Sequence, residues 1–234
     1  MINFKDQSIL IIAAHPDDEV LGCGGLISRY NNFSNINVVF LGEGSSCRFS
    51  ETNSEFAKNS IKQREEAARN AARLLKIKNT EFYNLPCGRL DQFPIIEINK
   101  IIEAAILKYL PNILLTHDAN DVNNDHRIIY KSTLMSTRPQ SETSVEAVLT
   151  YEVPSSSECS FQKNQFSPNY FIEISESNLR SKFEALSQYS SEIKPFPFPR
   201  SFEGIKAYSQ FRGMQSAVEY AEGFNLVRYI NHAS

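Results

Sequence analysis

Residues 9–14 form an unbroken apolar run, ILIIAA, which stops abruptly at the polar sequence HPDDE. A short run with no polar position is typical of a strand buried on both faces of a parallel sheet. The same pattern recurs at residues 113–115, where an apolar run precedes a long polar segment that ends at His126. The two runs therefore predict buried parallel strands with polar clusters just beyond their carboxyl ends.

Segments in which apolar residues have helical spacing follow the predicted strands. Residues 20–27, 55–76 and 95–107 repeat apolar positions three or four residues apart, which predicts amphipathic helices. Residues 37–41 and 80–83 predict two further strands. Strand and helix alternate at least four times. We therefore predict an α/β fold, a Rossmann-like three-layer sandwich whose mostly parallel sheet carries helices on both faces.

The pattern changes after residue 144. This part predicts strands at 145–153 and 170–174, an amphipathic helix at 177–189, and helix with short connections at 205–230. We therefore predict a single domain over residues 1–234. Its core covers about 1–150, and a small C-terminal elaboration covers about 151–234.

Composition narrows the classes of protein. The 234 residues carry a net charge of −3, which gives no broad electrostatic reason to expect nucleic-acid binding. No apolar run reaches the roughly 18 residues that cross a bilayer, and no signal-type segment opens the sequence. We therefore predict a cytoplasmic enzyme without a membrane span. The widely spaced cysteines are expected to be reduced and mostly structural, rather than a disulfide framework or a cysteine zinc site; they are Cys23, Cys47, Cys87 and Cys159.

The first polar cluster contains one imidazole and three adjacent carboxylates. His15 and Asp18 offer donor atoms that suit zinc or a similar divalent metal, and a cation relieves the repulsion between neighbouring carboxylates. Asp17 is then free to act as a base. Ligands of open α/β sheets bind beyond the carboxyl ends of strands, where this cluster is expected. The alternative is that residues 17–19 only cap the following helix and favour its positive end.

The second polar cluster supplies candidates for a third metal ligand. Its histidines and carboxylates are His117, Asp118, Asp121, Asp125 and His126. His126 begins a predicted amphipathic helix, so both clusters are expected to meet at one edge of the sheet. Polar side chains at 120–124 suit hydrogen bonds to hydroxyl groups of a ligand, which makes Asp121 a candidate substrate contact, although they equally suit a plain turn.

Two motifs together resemble a known family. The sequence AHPDDE at 14–19, paired with DVNNDH at 121–126, resembles the LmbE-like, or PIG-L, family of zinc-dependent N-deacetylases. The segments REEAARNAARLL, KPFPFPRS and RGMQSAVEYAEGF also look like the family, especially its members that act on sugars in polysaccharide pathways. The resemblance covers nearly the whole chain and implies the fold predicted above.

The resemblance also implies roles for individual residues. By the family's pattern His15, Asp18 and His126 would bind Zn²⁺, although Fe²⁺ would also fit these ligands. Asp17 would be the general base that takes a proton from the attacking water. Arg64 matches an arginine that holds substrate in relatives.

Three further residues complete the predicted site. Asp125 is expected to orient an imidazole, with a surface position as the alternative. Glu19 is expected either to cap the helix or to support the ligands from behind. Arg200 ends a proline-stiffened segment, 194–201, and is predicted as a substrate contact.

Four positions depart from the family pattern. Some relatives have a tyrosine and a histidine where this chain has Asp121 and Asn123. We therefore expect His117 or Asn123 to stabilise the oxyanion. Cys87 stands where an aspartate is frequent, and Phe198 stands where many of the closer relatives have a histidine.

The predicted function is hydrolysis at a metal centre. A zinc held by two imidazoles and one carboxylate lowers the pKa of bound water to roughly 7, which makes it a nucleophile. We predict removal of an N-acetyl group from a small amino sugar, a sugar nucleotide or a glycoconjugate. Two alternatives stay open: a metal-dependent amidase or esterase acting on a non-sugar acyl compound, and a non-catalytic sugar- or nucleotide-binding domain. The sequence also leaves homo-oligomerisation open.

Overall fold

The computed structural model describes residues 2–139, 145–161 and 164–231. The strands are β1 (Ser8–Ala13), β2 (Asn35–Gly42), β3 (Asn79–Leu85), β4 (Ile113–His117), β5 (Ala147–Tyr151), β6 (Tyr170–Glu173) and β7 (Ala221–Tyr229). The α-helices are α1 (Asp18–Tyr30), α2 (Glu55–Leu74), α3 (Ile95–Tyr109), α4 (Asn124–Ser136), α5 (Glu176–Leu186) and α6 (Phe202–Ser216). Within these residues no helix combines the length and the apolar character that crossing a bilayer requires.

The seven strands form one sheet in the order β3-β2-β1-β4-β5-β7-β6. Strands β1 to β5 run parallel to one another, whereas β7 runs antiparallel to both β5 and β6. The predicted α/β, mostly parallel, Rossmann-like sheet is therefore confirmed. The strand order reverses between β1 and β4, and such a reversal opens a crevice for ligands at the carboxyl ends of the two strands.

The side chains of β1 serve two core layers. Ile9 and Ile11 pack in a cluster with residues of α1, α2 and α5, whereas Leu10 and Ile12 pack with residues of α3 and α4. All four side chains are fully buried, and burying each one contributes roughly 1.5–3 kcal/mol to stability. Helices cover both faces of the sheet, which explains why this strand has no polar position.

The C-terminal part differs from the expectation in one element. The pattern at 205–230 predicts helix with short connections, but α6 ends at Ser216 and the rest forms β7. Backbone pairing with β5 on one side and β6 on the other fixes this segment as a strand. Such pairing outweighs local preference, because strand formation depends mainly on neighbouring strands. The elaboration thus extends the same sheet.

Candidate metal centre and active site

The two polar clusters lie side by side because β1 and β4 are adjacent strands. His15 follows β1 closely, and Asp18 is the first residue of α1. His126 lies in the first turn of α4, shortly after β4. Both clusters therefore face the crevice where the strand order reverses.

Donor atoms of three side chains converge in this crevice. The Oδ2 atom of Asp18 lies 3.6 Å from Nδ1 of His15 and 3.4 Å from Nε2 of His126. All three side chains are buried, and their donor atoms lie close enough to share one ion. Nε2 of His126 has no hydrogen-bond partner among the described residues. A buried polar atom without a partner is costly, so this set fits a divalent metal that fills the gap.

The charges of the ligands depend on each other. Burial raises the pKa of Asp18, but the neighbouring imidazoles of His126 and His117 hold it well below its usual range. Burial lowers the pKa of His126, but Asp18 and Asp121 raise it to about 10. A histidine binds metal only through an unprotonated nitrogen, so metal binding at His126 would depend on pH.

Asp125 orients His15 from behind. Nε2 of His15 donates a hydrogen bond of 3.0 Å to Oδ2 of Asp125, which leaves Nδ1 facing Asp18. The backbone N–H groups of Gly88 and Leu90 donate to the same carboxylate at 2.6 and 3.2 Å. Such a partner fixes the tautomer and the direction of a metal-binding imidazole.

Asp121 is the carboxylate next to the second histidine, His126. Its Oδ2 lies 3.2 Å from Nδ1 of His126, and the side chain is buried. Hydroxyls of Ser156 and Ser157 and the backbone N–H of Asn123 also donate to this carboxylate. The sequence suggests a sugar contact for Asp121, but its oxygens are occupied within the protein.

Asp17 adopts an unusual backbone conformation. Its φ of 128° lies where side-chain-bearing residues are rare, and such strain costs roughly 1–3 kcal/mol. The carboxylate of Glu19 accepts a hydrogen bond of 3.0 Å from the Asp17 N–H, which helps to hold this turn. The side chain of Asp17 is buried, and its Oδ1 has no hydrogen-bond partner within the described residues. This oxygen can accept a proton.

Two arginines from distant parts of the chain hold the other oxygen of Asp17. Nη2 of Arg64 and Nη1 of Arg200 each lie 2.8 Å from Oδ2. Arg64 also donates to the carbonyl oxygens of Pro16 and Gly44, at 2.8 and 2.6 Å. Burial raises the pKa of Asp17 overall, although Arg64 and Arg200 oppose this effect.

Glu192 holds the arginines in place. Arg48 donates to both of its carboxylate oxygens, at 2.7 and 2.8 Å, and Nη1 of Arg64 donates at 3.0 Å. Burial raises the pKa of Glu192, but these contacts, led by the hydrogen bonds from Arg48, bring it down to about 2. Sequence reasoning missed Glu192, because no motif surrounds it and it meets the site only through the fold.

Glu19 is fully buried behind Asp17. In addition to the Asp17 N–H, it accepts a hydrogen bond of 2.6 Å from the hydroxyl of Tyr189. Burial raises the pKa of Glu19 to about 8. Its contacts therefore support the turn of the proposed base, and Tyr189, which carries no sequence signal, belongs to that support.

The two predicted oxyanion residues lie in different surroundings. His117 is fully buried, stacks on His126 with ring centroids 3.9 Å apart, and accepts the Ala14 N–H at Nε2. Burial lowers the pKa of His117 to about 3, so the ring is neutral. Asn123 is the N-cap of α4, where its Oδ1 accepts the N–H of Asp125 at 2.9 Å. The contacts of His117 favour packing beneath the ligands over contact with substrate.

The turn after β3 brings a cysteine against the site. Sγ of Cys87 lies 3.6 Å from Nε2 of His15 and 3.0 Å from Sγ of Cys47. Both cysteines are free thiols, and Cys47 is exposed. The sequence gives no sign of this contact, because the two residues are 40 positions apart and meet only through the pairing of β2 with β3.

Comparisons with known proteins agree with the motifs. A family model described as PIG-L, GlcNAc-PI de-N-acetylase, matches residues 10–136. The chain is also 27% identical over 197 residues to an Escherichia coli protein described as the uncharacterized deacetylase YaiS. That match covers 80% of this chain and 92% of the relative.

Solved structures with the same fold include different enzymes. The N,N'-diacetylchitobiose deacetylase from Pyrococcus horikoshii superposes with a TM-score of 0.74 at 22% identity, covering 96% of this chain and 85% of that chain. GalB, the 4-carboxy-2-hydroxymuconate hydratase from Pseudomonas putida, also gives 0.74, at 20% identity over 97% of this chain and all of that chain. These likenesses show the fold alone, and the fold by itself does not choose the reaction.

Proposed function

The chain belongs to the PIG-L family of de-N-acetylases, and from this premise we propose that it hydrolyses the N-acetyl group of an amino sugar or sugar conjugate. The observation that carries the proposal is the convergence of His15, Asp18 and His126, together with an adjacent Asp17 oxygen that has no hydrogen-bond partner in the described part of the chain. Two imidazoles and one carboxylate suit Zn²⁺, and Fe²⁺ fits the same donors.

Each residue of the site has its own role in hydrolysis. A divalent metal bound to these donors would supply a Lewis acid that lowers the pKa of water and polarises a carbonyl. Asp17 takes the proton of the attacking water at Oδ1, and its raised pKa brings it closer to the range of an effective base. The protonated Asp17 then gives the proton to the departing amine as the C–N bond breaks. Acetate and a free amino sugar are the products.

Arg64 and Arg200 differ in how many of their N–H groups are already engaged within the protein. Arg64 uses Nε, Nη1 and Nη2 on Pro16, Gly44, Glu192 and Asp17, so four of its five N–H groups are engaged. Arg200 uses Nε on the loop at 154–155 and Nη1 on Asp17. We therefore assign Arg64 to positioning the base, and the Nη2 group of Arg200 to contacting a substrate oxygen.

Two other assignments follow from hydrogen bonding. The Oδ1 of Asn123 is committed to its helix cap, so its amide nitrogen is the donor we assign to the developing oxyanion. Asp121 is assigned to holding His126 rather than to a sugar hydroxyl, because its oxygens already have partners. His117 is assigned to packing under the ligands. A cytoplasmic location and homo-oligomerisation stay predictions.

A substrate panel tests the proposal. The purified protein, loaded with Zn²⁺ and separately with Fe²⁺ under anaerobic conditions, is incubated with N-acetylglucosamine, N,N'-diacetylchitobiose, a UDP-N-acetyl sugar, an N-acetylglucosaminyl lipid and simple acyl amides. Acetate release from an acetamido sugar, abolished by chelation and restored by metal, is the expected result. Turnover of a non-sugar amide with no reaction on any acetamido sugar would reject the sugar assignment. Sugar binding without turnover would favour the binding domain.

A further inference from the structure

Cys47 and Cys87 form a pair of thiols at the edge of the site. Their sulfur atoms are 3.0 Å apart, about 1 Å more than the length of a disulfide bond. Cys47 is exposed and open to reagents from solvent, whereas Cys87 is buried next to His15. The hydrogen bond from Cys87 also lowers the pKa of Cys47 to about 6, against the burial that raises it. An exposed thiol next to a second thiol is the arrangement of a redox-sensitive pair.

The carboxylate of Glu43 holds the two cysteine-bearing turns together. It accepts the backbone N–H of Cys87 at 2.8 Å and the backbone N–H groups of Ser45 and Ser46 at 2.6 and 2.9 Å. Gly88 completes the close approach. Its φ is +71°, and a Cβ there would lie 3.4 Å from Cβ of Cys47. The thiols therefore meet because the surrounding backbone is fixed, and closing the bond requires only a small movement.

We propose that Cys47 and Cys87 form a reversible disulfide with a hydroperoxide as the oxidant, and that this bond weakens metal binding at the adjacent site. The Cys47 thiolate attacks a peroxide oxygen; the O–O bond breaks and Cys47 becomes a sulfenic acid as water, or an alcohol, leaves. The Cys87 thiol then attacks the sulfenic sulfur; the S–S bond forms, the S–O bond breaks and water leaves. Two electrons pass from the sulfurs to the peroxide, and a dithiol reverses the reaction.

The disulfide is coupled to the metal ligands through one turn. Cys87 Sγ lies 3.6 Å from His15 Nε2, and the next residue, Gly88, donates its N–H to Asp125. Asp125 is the carboxylate that orients His15. Drawing Cys87 toward Cys47 therefore displaces the turn that holds Asp125. Disturbing such a partner of a ligand typically costs 10- to 100-fold in metal affinity, so we expect a loss of at least about 10-fold.

Peptide mapping tests the bond directly. Reduced protein is treated with a small excess of hydrogen peroxide and digested with trypsin without reduction; cleavage after Arg48 and Arg89 separates the two cysteines into different peptides. Mass spectrometry should find the Cys47 and Cys87 peptides linked, and dithiothreitol should release them. Zn²⁺ affinity, measured by competition with a chromophoric chelator, should fall about 10-fold or more on oxidation and recover on reduction.

Two variants provide matched controls. Cys47→Ser should bind Zn²⁺ like the reduced wild type and lose the response to peroxide, whereas Cys159→Ser, which replaces a partly exposed cysteine outside the Cys47–Cys87 pair, should respond like the wild type. The proposal is overturned if peroxide consumes the thiols without linking the two peptides, or if the linked protein keeps its Zn²⁺ affinity. Neither readout needs deacetylase activity, so failure of the proposed function would leave this test intact.

Discussion

The two halves of the site are built in different ways. The half that we propose to bind metal, called the metal half, takes its three donors and both supporting carboxylates from two short segments, 15–18 and 121–126. The half around Asp17 gathers residues from across the chain: Arg64 from α2, Glu192 from the loop after α5, and Arg200 from the loop before α6. The proposed metal ligands are thus encoded locally in the chain, whereas the surroundings of the proposed base depend on the tertiary structure.

The halves also differ in how their charges are balanced. In the arginine half, Asp17 and Glu192 face three guanidinium groups, so both carboxylates are paired within the protein. In the metal half, Nε2 of His126 lies 3.4 Å from Oδ2 of Asp18. It has no hydrogen-bond partner among the described residues. The carboxylates of the arginine half therefore have their partners within the protein, whereas we propose that an ion completes the metal half. Variants in the two halves should separate metal binding from turnover.

The largest effect is expected in the metal half. His126→Ala leaves two protein ligands, so most of the bound metal should be lost and acetate release should fall to background. Metal content after dialysis and acetate release measure the two effects, and circular dichroism checks that the variant folds. Full metal content in this variant would show that His126 is not a metal ligand.

Asp17→Asn should separate the halves most cleanly. The amide keeps the shape of the side chain but cannot take a proton, so kcat should fall by about 10²- to 10⁴-fold. Metal content should stay near that of the wild type, because the three donors are unchanged. Near-normal turnover would show that another group is the base, and substrate affinity measured by calorimetry distinguishes lost catalysis from lost binding.

Asp121→Asn tests the support of the metal half. The imidazole of His126 stays in the chain but loses the carboxylate 3.2 Å from its Nδ1, so metal affinity should fall by about 10- to 100-fold. Excess metal should then restore most of the turnover. If Asp121 instead binds sugar, KM rises and metal affinity, read by chelator competition, does not change.

The smallest expected effect concerns the arginine half and depends on pH. Arg200 lowers the pKa of Asp17, so Arg200→Gln should raise that pKa further. A base must be deprotonated to act, and the acidic limb of the kcat/KM profile should therefore move to higher pH, with a loss of several-fold at neutral pH. Arg200→Lys keeps the positive charge and should leave the limb close to its wild-type position. If the acidic limb of Arg200→Gln does not move, Arg200 does not set the pKa of the base.

The sequence alone determined the features of the fold and the site that depend on residues close together in the chain. The apolar runs that became β1 and β4 are recognisable because a strand covered on both faces admits no polar position. Their polar clusters had to meet, since carboxyl ends of adjacent parallel strands share one edge of the sheet. The placement of His15, Asp18 and His126 at one point therefore follows from local patterns, and the family resemblance carries the same residues.

The tertiary structure decided what depends on contacts between distant residues. Arg200 and Asp17 are 183 positions apart, and spacing alone cannot place a guanidinium 2.8 Å from a carboxylate. Packing likewise decides three other features: the partners of Asp121, the contact between Cys47 and Cys87, and the pairing that makes β7 a strand. Residue types and their spacing specify local conformation, whereas contacts such as these exist only after the whole chain has packed.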